Sequence, residues 1–531
     1  MSAITLLVIG LLSLSLGYLF YGRFLVRKFR INPNEETPAH TCQDGVDYEP
    51  AKPFVLLGHH FASIAGAGPI LGPVFAAVFG WLPVFLWIVI GSVFIGGVHD
   101  FASLVTSIRH RGHSIAELID KYIGTSGKRL FLGFTWFMLV LIIAVFAQTI
   151  ASTFIKNPSA ASSSFLFIAL AVLFGLAIHQ WKLPFWPATV LGVLFLGLCV
   201  VLGLRFPLGL SYNVWIFILF AYVFVAAVTP VWILLQPRDF LNSFLLYAIL
   251  IAGVFGIFIA RPSISMPVFT SFHTNLGTLF PVLFVTMACG AVSGFHSLVA
   301  SGTTSKQLDR ETDARAVGYG GMLIEGLLAI VALITAIVLL PKEYQTMIGK
   351  EGGGPIGIFA SGIGKFTLSL GIPHKAGMTF AALAISAFAM TTLDTATRLG
   401  RFLLQEMCEG SKGMLTPLSN RFVSTIITLV AAGLLAFSGT SQTLWPLFGS
   451  ANQLMAAIAL LAISVWLRHL KEKNGFVRIP MFFMMGVTLT ALGFLIVKNF
   501  LDGQYLLTVF SVLLLGIAIS MVFQAALKRV F

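Results

Sequence analysis

Apolar residues along this 531-residue chain run in long unbroken blocks separated by short polar stretches, with no two-residue alternation. Many blocks reach about 18 to 25 residues, enough for an α-helix to cross a hydrocarbon core of roughly 30 Å. Continuous runs exclude a membrane β-barrel, whose strands alternate. The pattern predicts fifteen spans, over 3–22, 54–79, 81–108, 130–154, 164–180, 185–204, 213–235, 243–260, 279–302, 317–340, 376–397, 421–438, 443–467, 480–498 and 505–527. One block departs from the helical rule. In Gly58-His59-His60-Phe61-Ala62-Ser63-Ile64-Ala65-Gly66-Ala67-Gly68-Pro69, two glycines and a proline interrupt the run. A helix broken inside a bilayer leaves backbone groups unpaired, at several kcal/mol each. Such breaks are expected where a cavity needs exposed backbone. The plainer alternative is a glycine-rich helix packed closely on a neighbour.

Gly294-Phe295-His296-Ser297-Leu298-Val299-Ala300-Ser301-Gly302 repeats the Gly-x-His-x5-Gly spacing of Gly58, His60 and Gly66. By the span order, the first copy runs outward and the second inward. Five spans over 54–204 and five over 279–467 then form inverted halves, each opening on its broken helix. Two helices are inserted over 205–278. Residues 1–53 supply a first helix and a polar loop, and 468–531 two further helices. The expected fold is an all-α polytopic membrane protein with a LeuT-like 5+5 inverted-repeat core of the amino acid–polyamine–organocation type. The segment 341–375 carries Gly352-Gly353-Gly354-Pro355 and an apolar stretch from Ile356 to Leu370, read as a re-entrant or surface helix, or as a plain loop helix.

Composition agrees with this class: 57% of residues are hydrophobic and 10% charged, with mean hydropathy +0.94. The net charge of +13 does not point to nucleic acid, because the cations sit in short loops between spans. Twenty-five Lys and Arg residues, Arg238, Arg398 and Arg401 among them, fall on the expected cytoplasmic side and eight outside, the positive-inside asymmetry. That places the N-terminus outside and the C-terminus inside. The apolar block before Tyr21 precedes its basic residues, so it reads as a retained span and not a signal peptide. Cys42, Cys199, Cys289 and Cys408 have no CxxC spacing, so no metal site and no disulfide framework is expected.

Ionisable residues inside spans are costly and tend to be functional. Here they are His59, His60, His99, Asp100, His296, Glu325 and Asp394. Asp394, with the hydroxyls of Thr391 and Thr395, offers hard oxygen ligands for a coupling H+ or Na+. It could instead cap a helix or pair with Arg398. Asp100, beside His99, and Glu325 are candidate proton carriers, with structural pairing as the alternative. His60 and His296 either bind substrate or hydrogen-bond across the bundle. The backbone of Gly66, Ala67 and Gly68, and of Ser301, Gly302 and Thr303, is read as helix N-terminal N–H groups for an anionic substrate. No cofactor is expected beyond the coupling ion.

Enzyme motifs fail. Gly364-Lys365 and Gly127-Lys128 lack the upstream glycine of a phosphate loop, Phe359 and Tyr122 standing there. No HExxH or GxSxG occurs, so no enzyme is expected. Seven ordered stretches then carry a resemblance: GHHFASIAGAGPILGP (58–73), GGVHDF (96–101), QPRDFLNSF (236–244), ACGAVSGFHSLVASGTTSKQ (288–307), GYGGMLIEG (318–326), TTLDTATRLGRF (391–402) and WPLFGSANQLMA (445–456). The chain resembles the carbon starvation protein A (CstA) family over roughly 54–456, though it is short for that family. The resemblance implies a multi-pass transporter of the bacterial inner membrane, used under carbon starvation. It also implies uptake of a short peptide, or of pyruvate with protons. The motif positions include His60, Asp100, His296, Glu325 and Asp394. The resulting expectation is a cation-coupled importer of a small carboxylate-bearing nutrient. The rival from another class is a membrane nutrient sensor without turnover. The 31–53 loop and the tail Lys528-Arg529-Val530-Phe531 are poor docking elements for one.

Overall fold

Two interrupted helices meet at the centre of the molecule, and the continuous helices pack around them. The structure is a computed structural model and describes residues 2–44, 48–230, 233–287, 289–349, 353–408, 418, 420–438 and 441–527. The expectations on Ala288, Gly352 and the 528–531 tail lie outside the described residues.

The helices are α1 (Ala3–Lys28), α2 (Pro53–Ile64), α3 (Gly68–Phe79), α4 (Trp81–Ile108), α5 (Thr125–Lys156), α6 (Pro158–His179), α7 (Phe185–Arg205), α8 (Tyr212–Val228) and α9 (Leu235–Ala260). There follow α10 (Leu279–Thr286), α11 (Phe295–Gly302), α12 (Glu311–Ile337), α13 (Gly354–Leu368), α14 (His374–Met407), α15 (Arg421–Ser438), α16 (Ser441–His469), α17 (Gly475–Leu501) and α18 (Tyr505–Leu527). Eleven described helices are long and apolar enough to cross a membrane, and α2 with α3 makes a twelfth if the bent pair is one span. The segments 213–235 and 421–438, expected to span, are shorter apolar helices. The segment 279–302, expected to be one span with a broken helix, is two eight-residue helices, Leu279–Thr286 and Phe295–Gly302.

Local chemistry explains both interruptions. α2 stops because Ala65 leaves helical geometry, with ψ 60°. The Gly66 N–H turns back to the Ile64 carbonyl at 2.9 Å, and Pro69 restarts the chain in the first turn of α3. Proline is tolerated there because its missing N–H has no helical partner. The two helices meet at 48°. The second interruption lies between the helix end at Thr286 and the helix start at Phe295, with Gly290 at φ +81°. α16 satisfies part of its backbone. Gln453 donates to the Phe284 and Met287 carbonyls, and Trp445 Nε1 donates to the Thr286 carbonyl at 3.1 Å. Asn452 Oδ1 accepts from the Phe295 N–H at 2.9 Å. Irregular backbone at membrane depth survives only with such partners.

The two breaks touch. A Cβ on Gly68 would stand 2.6 Å from Cys289 Sγ, and one on Gly290 3.2 Å from Pro69 Cα. Glycine is required at both positions for this approach. Three wide π-turns, Gly17–Tyr21, Ser92–Gly96 and Arg315–Gly320, sit in α1, α4 and α12. The buried Tyr319 hydroxyl lies 3.3 Å from the Gly17 carbonyl and 3.2 Å from that of Val93, serving two of them. Such bulges often mark functional sites. Here they precede His99-Asp100 and Glu325.

The 341–375 segment is Pro341–Ile348 and α13, and α13 packs on α9, α12 and α14. The polar 31–53 loop lies across the stretch after α11, with Thr37 Oγ1 donating to the Leu308 carbonyl at 2.5 Å.

Candidate functional site

The ionisable residues singled out from the sequence are buried, His59 only partly, and they form two clusters and not one band. The first gathers on the inner faces of α4, α11 and α12. Asp100 bridges two imidazoles. One oxygen lies 2.7 Å from His99 Nδ1 and the other 2.7 Å from His296 Nδ1. His296 Nε2 lies 3.3 Å from Glu325 Oε2, and Glu325 Oε1 accepts the Gly290 N–H at 3.1 Å. His99, Asp100, His296 and Glu325 are all fully buried. Nearby, His60 Nδ1 meets Thr304 Oγ1 at 2.8 Å, and His60 Nε2 is buried without a hydrogen-bond partner.

The second cluster joins α8, α9 and α14. Arg238 donates to Asp394 Oδ2 and to the Tyr222 hydroxyl, and that hydroxyl donates to Asp394 Oδ2 at 2.8 Å. Asp239 Oδ1 lies 3.7 Å from Arg238 Nη2, and its Oδ2 lies 3.9 Å from His59 Nδ1 on α2. Neither Asp239 oxygen has a hydrogen bond, nor does Asp394 Oδ1. Asn242 donates to Thr391 Oγ1 at 2.6 Å. Two carboxylates therefore face one guanidinium, all three buried. Removing one member of such a buried set costs about 3–5 kcal/mol, because the other charge stays behind.

Several expectations need correction. Asp394 is not an open carboxylate, nor does it pair with Arg398, which instead donates to the Ala226 and Thr229 carbonyls at 2.7 and 2.6 Å. Arg238, Arg398 and Arg401 are not loop cations: all three sit in helices, and Arg238 and Arg401 are buried. Asp100 and Glu325 belong with His296 and not with Asp394, Thr391 and Thr395. Ser301 and Gly302 end α11, and Thr303 caps that end. They present the carbonyl end of a helix, the wrong pole for an anion. Ser301 and Thr303 hydroxyls bond back to Ser297 and Val299 on their own helix. Gly66, Ala67 and Gly68 do form the break before α3, but Gly66 is pressed on α14, where a Cβ would stand 2.5 Å from Thr392 Oγ1.

Sequence reasoning missed Arg238, Asp239, Tyr222, Asn242 and Cys289. Starting α9 at Leu235 instead of 243 would have placed Arg238, Asp239 and Asn242 within one turn of an apolar helix.

Cavities open near both ends of α4. One of about 590 Å³ reaches Ser301 and Gly302 past Tyr48, His113, Lys306 and Glu406. The other, about 480 Å³, lies between Phe75, His273 and Tyr344. Neither cavity is lined by a residue of either cluster.

The model of the carbon starvation protein CstA family matches residues 2–353 and 345–491. The "Peptide transporter CstA" of Bacillus subtilis is 34% identical, covering 94% of this chain and 91% of that protein. The "Pyruvate/proton symporter BtsT" of Escherichia coli is 31% identical, covering 89% and 78%. A manganese transporter from Eremococcus coleocola superposes with TM-score 0.48 at 13% identity over 90% of this chain and 93% of that one, too loose a likeness to bear on fold or cargo. The motifs, the buried clusters they build and the match along nearly the whole length make this chain a member of the carbon starvation protein CstA family.

Proposed function

We propose that this chain is a secondary active importer of a small carboxylate-bearing nutrient, a short peptide or pyruvate, driven by a proton gradient. The family and its named relatives, a peptide transporter and a pyruvate/proton symporter, support a membrane transporter. The observation that carries the coupling site is the charge balance at Arg238, Asp239 and Asp394. Three buried carboxylate oxygens there lack a hydrogen bond. An excess carboxylate in a membrane interior needs a cation, and a proton is the one the site can hold without further ligands. The cluster lies against α2, through His59, so its charge state bears on the first broken helix.

The core is read as two inverted repeats of the LeuT-like kind, 54–204 and 279–467, with 1–53, 205–278 and 468–531 as additions. Two observations support this: the broken helices meet back to back, and cavities lie at opposite ends of a sealed centre. Substrate is placed at the first break. The unpartnered His60 Nε2 and the start of α3 at Ala67 and Gly68 favour a carboxylate there.

The test uses proteoliposomes loaded with a pH-sensitive dye. Pyruvate or a dipeptide added outside should acidify the lumen with wild-type protein. Asp239→Asn should abolish the acidification while leaving exchange of labelled for unlabelled substrate intact. Undiminished acidification by Asp239→Asn would remove the coupling site from this cluster.

A further inference from the structure

Cys289, His296 and Glu325 bring a thiol sulfur, an imidazole nitrogen and a carboxylate oxygen within 4.8 Å of one another, all buried. We infer that these three residues form a binding site for a borderline-soft divalent cation of the Zn2+ class. Sulfur, nitrogen and oxygen from Cys, His and Glu are the donor types zinc takes, and three protein ligands leave one position open.

The surroundings favour this over a chance meeting of polar groups. Each ligand's second polar atom or neighbourhood is already held. His296 Nδ1 is bonded to Asp100 at 2.7 Å, so Nε2 is the nitrogen that faces Cys289 and Glu325. A carboxylate behind a ligating imidazole fixes its tautomer and raises its basicity. Glu325 Oε1 is held by the Gly290 N–H, leaving Oε2. Cys289 Sγ donates to Ser293 Oγ at 3.5 Å and accepts from Asn452 Nδ2 at 3.7 Å, contacts that hold the sulfur beside His296. His296 Nε2 and Glu325 Oε2 have no hydrogen bond, although they are 3.3 Å apart and fully buried. Metal–ligand bonds of about 2.0–2.3 Å separate tetrahedral ligand atoms by roughly 3.3–3.8 Å, so the site closes with a shift of about 1 Å. The break supplies that freedom: Cys289 lies on irregular backbone, next to Gly290 at positive φ.

The spacing of the cysteines gave no hint of this, because the ligands come from a break, a helix after it and a third helix. Binding replaces the thiol S–H with a metal–sulfur bond and releases that proton. The bound ion would tie the 287–294 break to α12. The inference does not depend on transport or on the Arg238 cluster.

The probe is Co2+, titrated into the detergent-solubilised full chain at neutral pH. The expected result is one ion per chain, with a near-ultraviolet sulfur-to-cobalt charge-transfer band and visible bands of tetrahedral intensity. Cys289→Ser should lose the charge-transfer band. Replacing Cys42, Cys199 and Cys408 together by Ser should keep it. Asp100→Asn, which leaves the ligands in place, should keep the band with an affinity weaker by roughly 10–100-fold. Failure of wild-type protein to give the band, or survival of the band in Cys289→Ser, overturns the inference. Should Cys289→Ser not fold, an unweakened affinity in Asp100→Asn overturns it equally.

Discussion

At the scale of single residues, the chemistry turns on which buried charges are compensated. Arg238 is the hub of one cluster, touching Asp394 and Tyr222 and facing Asp239. Arg238→Leu should destabilise the folded protein by about 3–5 kcal/mol, read as a shift in unfolding by denaturing detergent. The double replacement Arg238→Leu with Asp394→Leu should recover most of that loss, since it removes the pair together. No recovery would mean that Asp394 is not the main partner of Arg238. Asp394→Asn should leave membrane insertion intact and abolish concentrative uptake. Wild-type accumulation by that variant would exclude the carboxylate from coupling. His60, Asp100, His296, Glu325 and Asp394 were legible in the sequence as buried ionisable groups, because a titratable side chain in an apolar run has few inexpensive explanations. Arg238 and Asp239 were not, because they stand at the edge of their apolar run and read as loop. Cys289 was not, because a thiol is inconspicuous among apolar residues and its partners lie across a break.

At the scale of elements, the breaks in the two central helices are the structural devices that bring the clusters together. The first was readable: Gly66, Gly68 and Pro69 stand where a span should be continuous. The second was misplaced by about a turn or two. The sequence around Gly302 reads as a helix start, but Gly302 ends α11 and the interruption precedes Phe295. Glycine punctuates both helix starts and helix ends, and only tertiary partners decide which. Those partners lie on α16, far away in sequence. Asn452→Leu should therefore cost about 1–3 kcal/mol by stranding the Phe295 N–H, measurable as a lower Tm in detergent. An unchanged Tm would show that the second break does not depend on α16. Gly66→Ala should impair transport through its clash with Thr392 Oγ1, and Thr392→Ala should restore part of it. Normal uptake by Gly66→Ala alone would show that the break tolerates being pushed from α14.

At the scale of the whole molecule, composition and run length were enough to read a polytopic helical membrane protein, because a bilayer admits few alternatives. Eleven described helices, or twelve with the bent pair, meet the length and polarity expected of spans. The finer count was less legible. A run such as 213–235 extends beyond a 17-residue helix that ends at Val228, and a run such as 279–302 conceals a gap. Apolar character reports depth, not continuity. The proposed function, coupling of a proton gradient to the movement of a small carboxylate, is tested at this scale. The most direct test is accumulation of labelled pyruvate, and separately of a labelled dipeptide, in proteoliposomes under an imposed proton gradient or an imposed sodium gradient. Accumulation of one of these solutes above the external level under the proton gradient alone is the expected result. Binding of either solute without accumulation under any gradient would contradict it, and would leave a receptor as the better description.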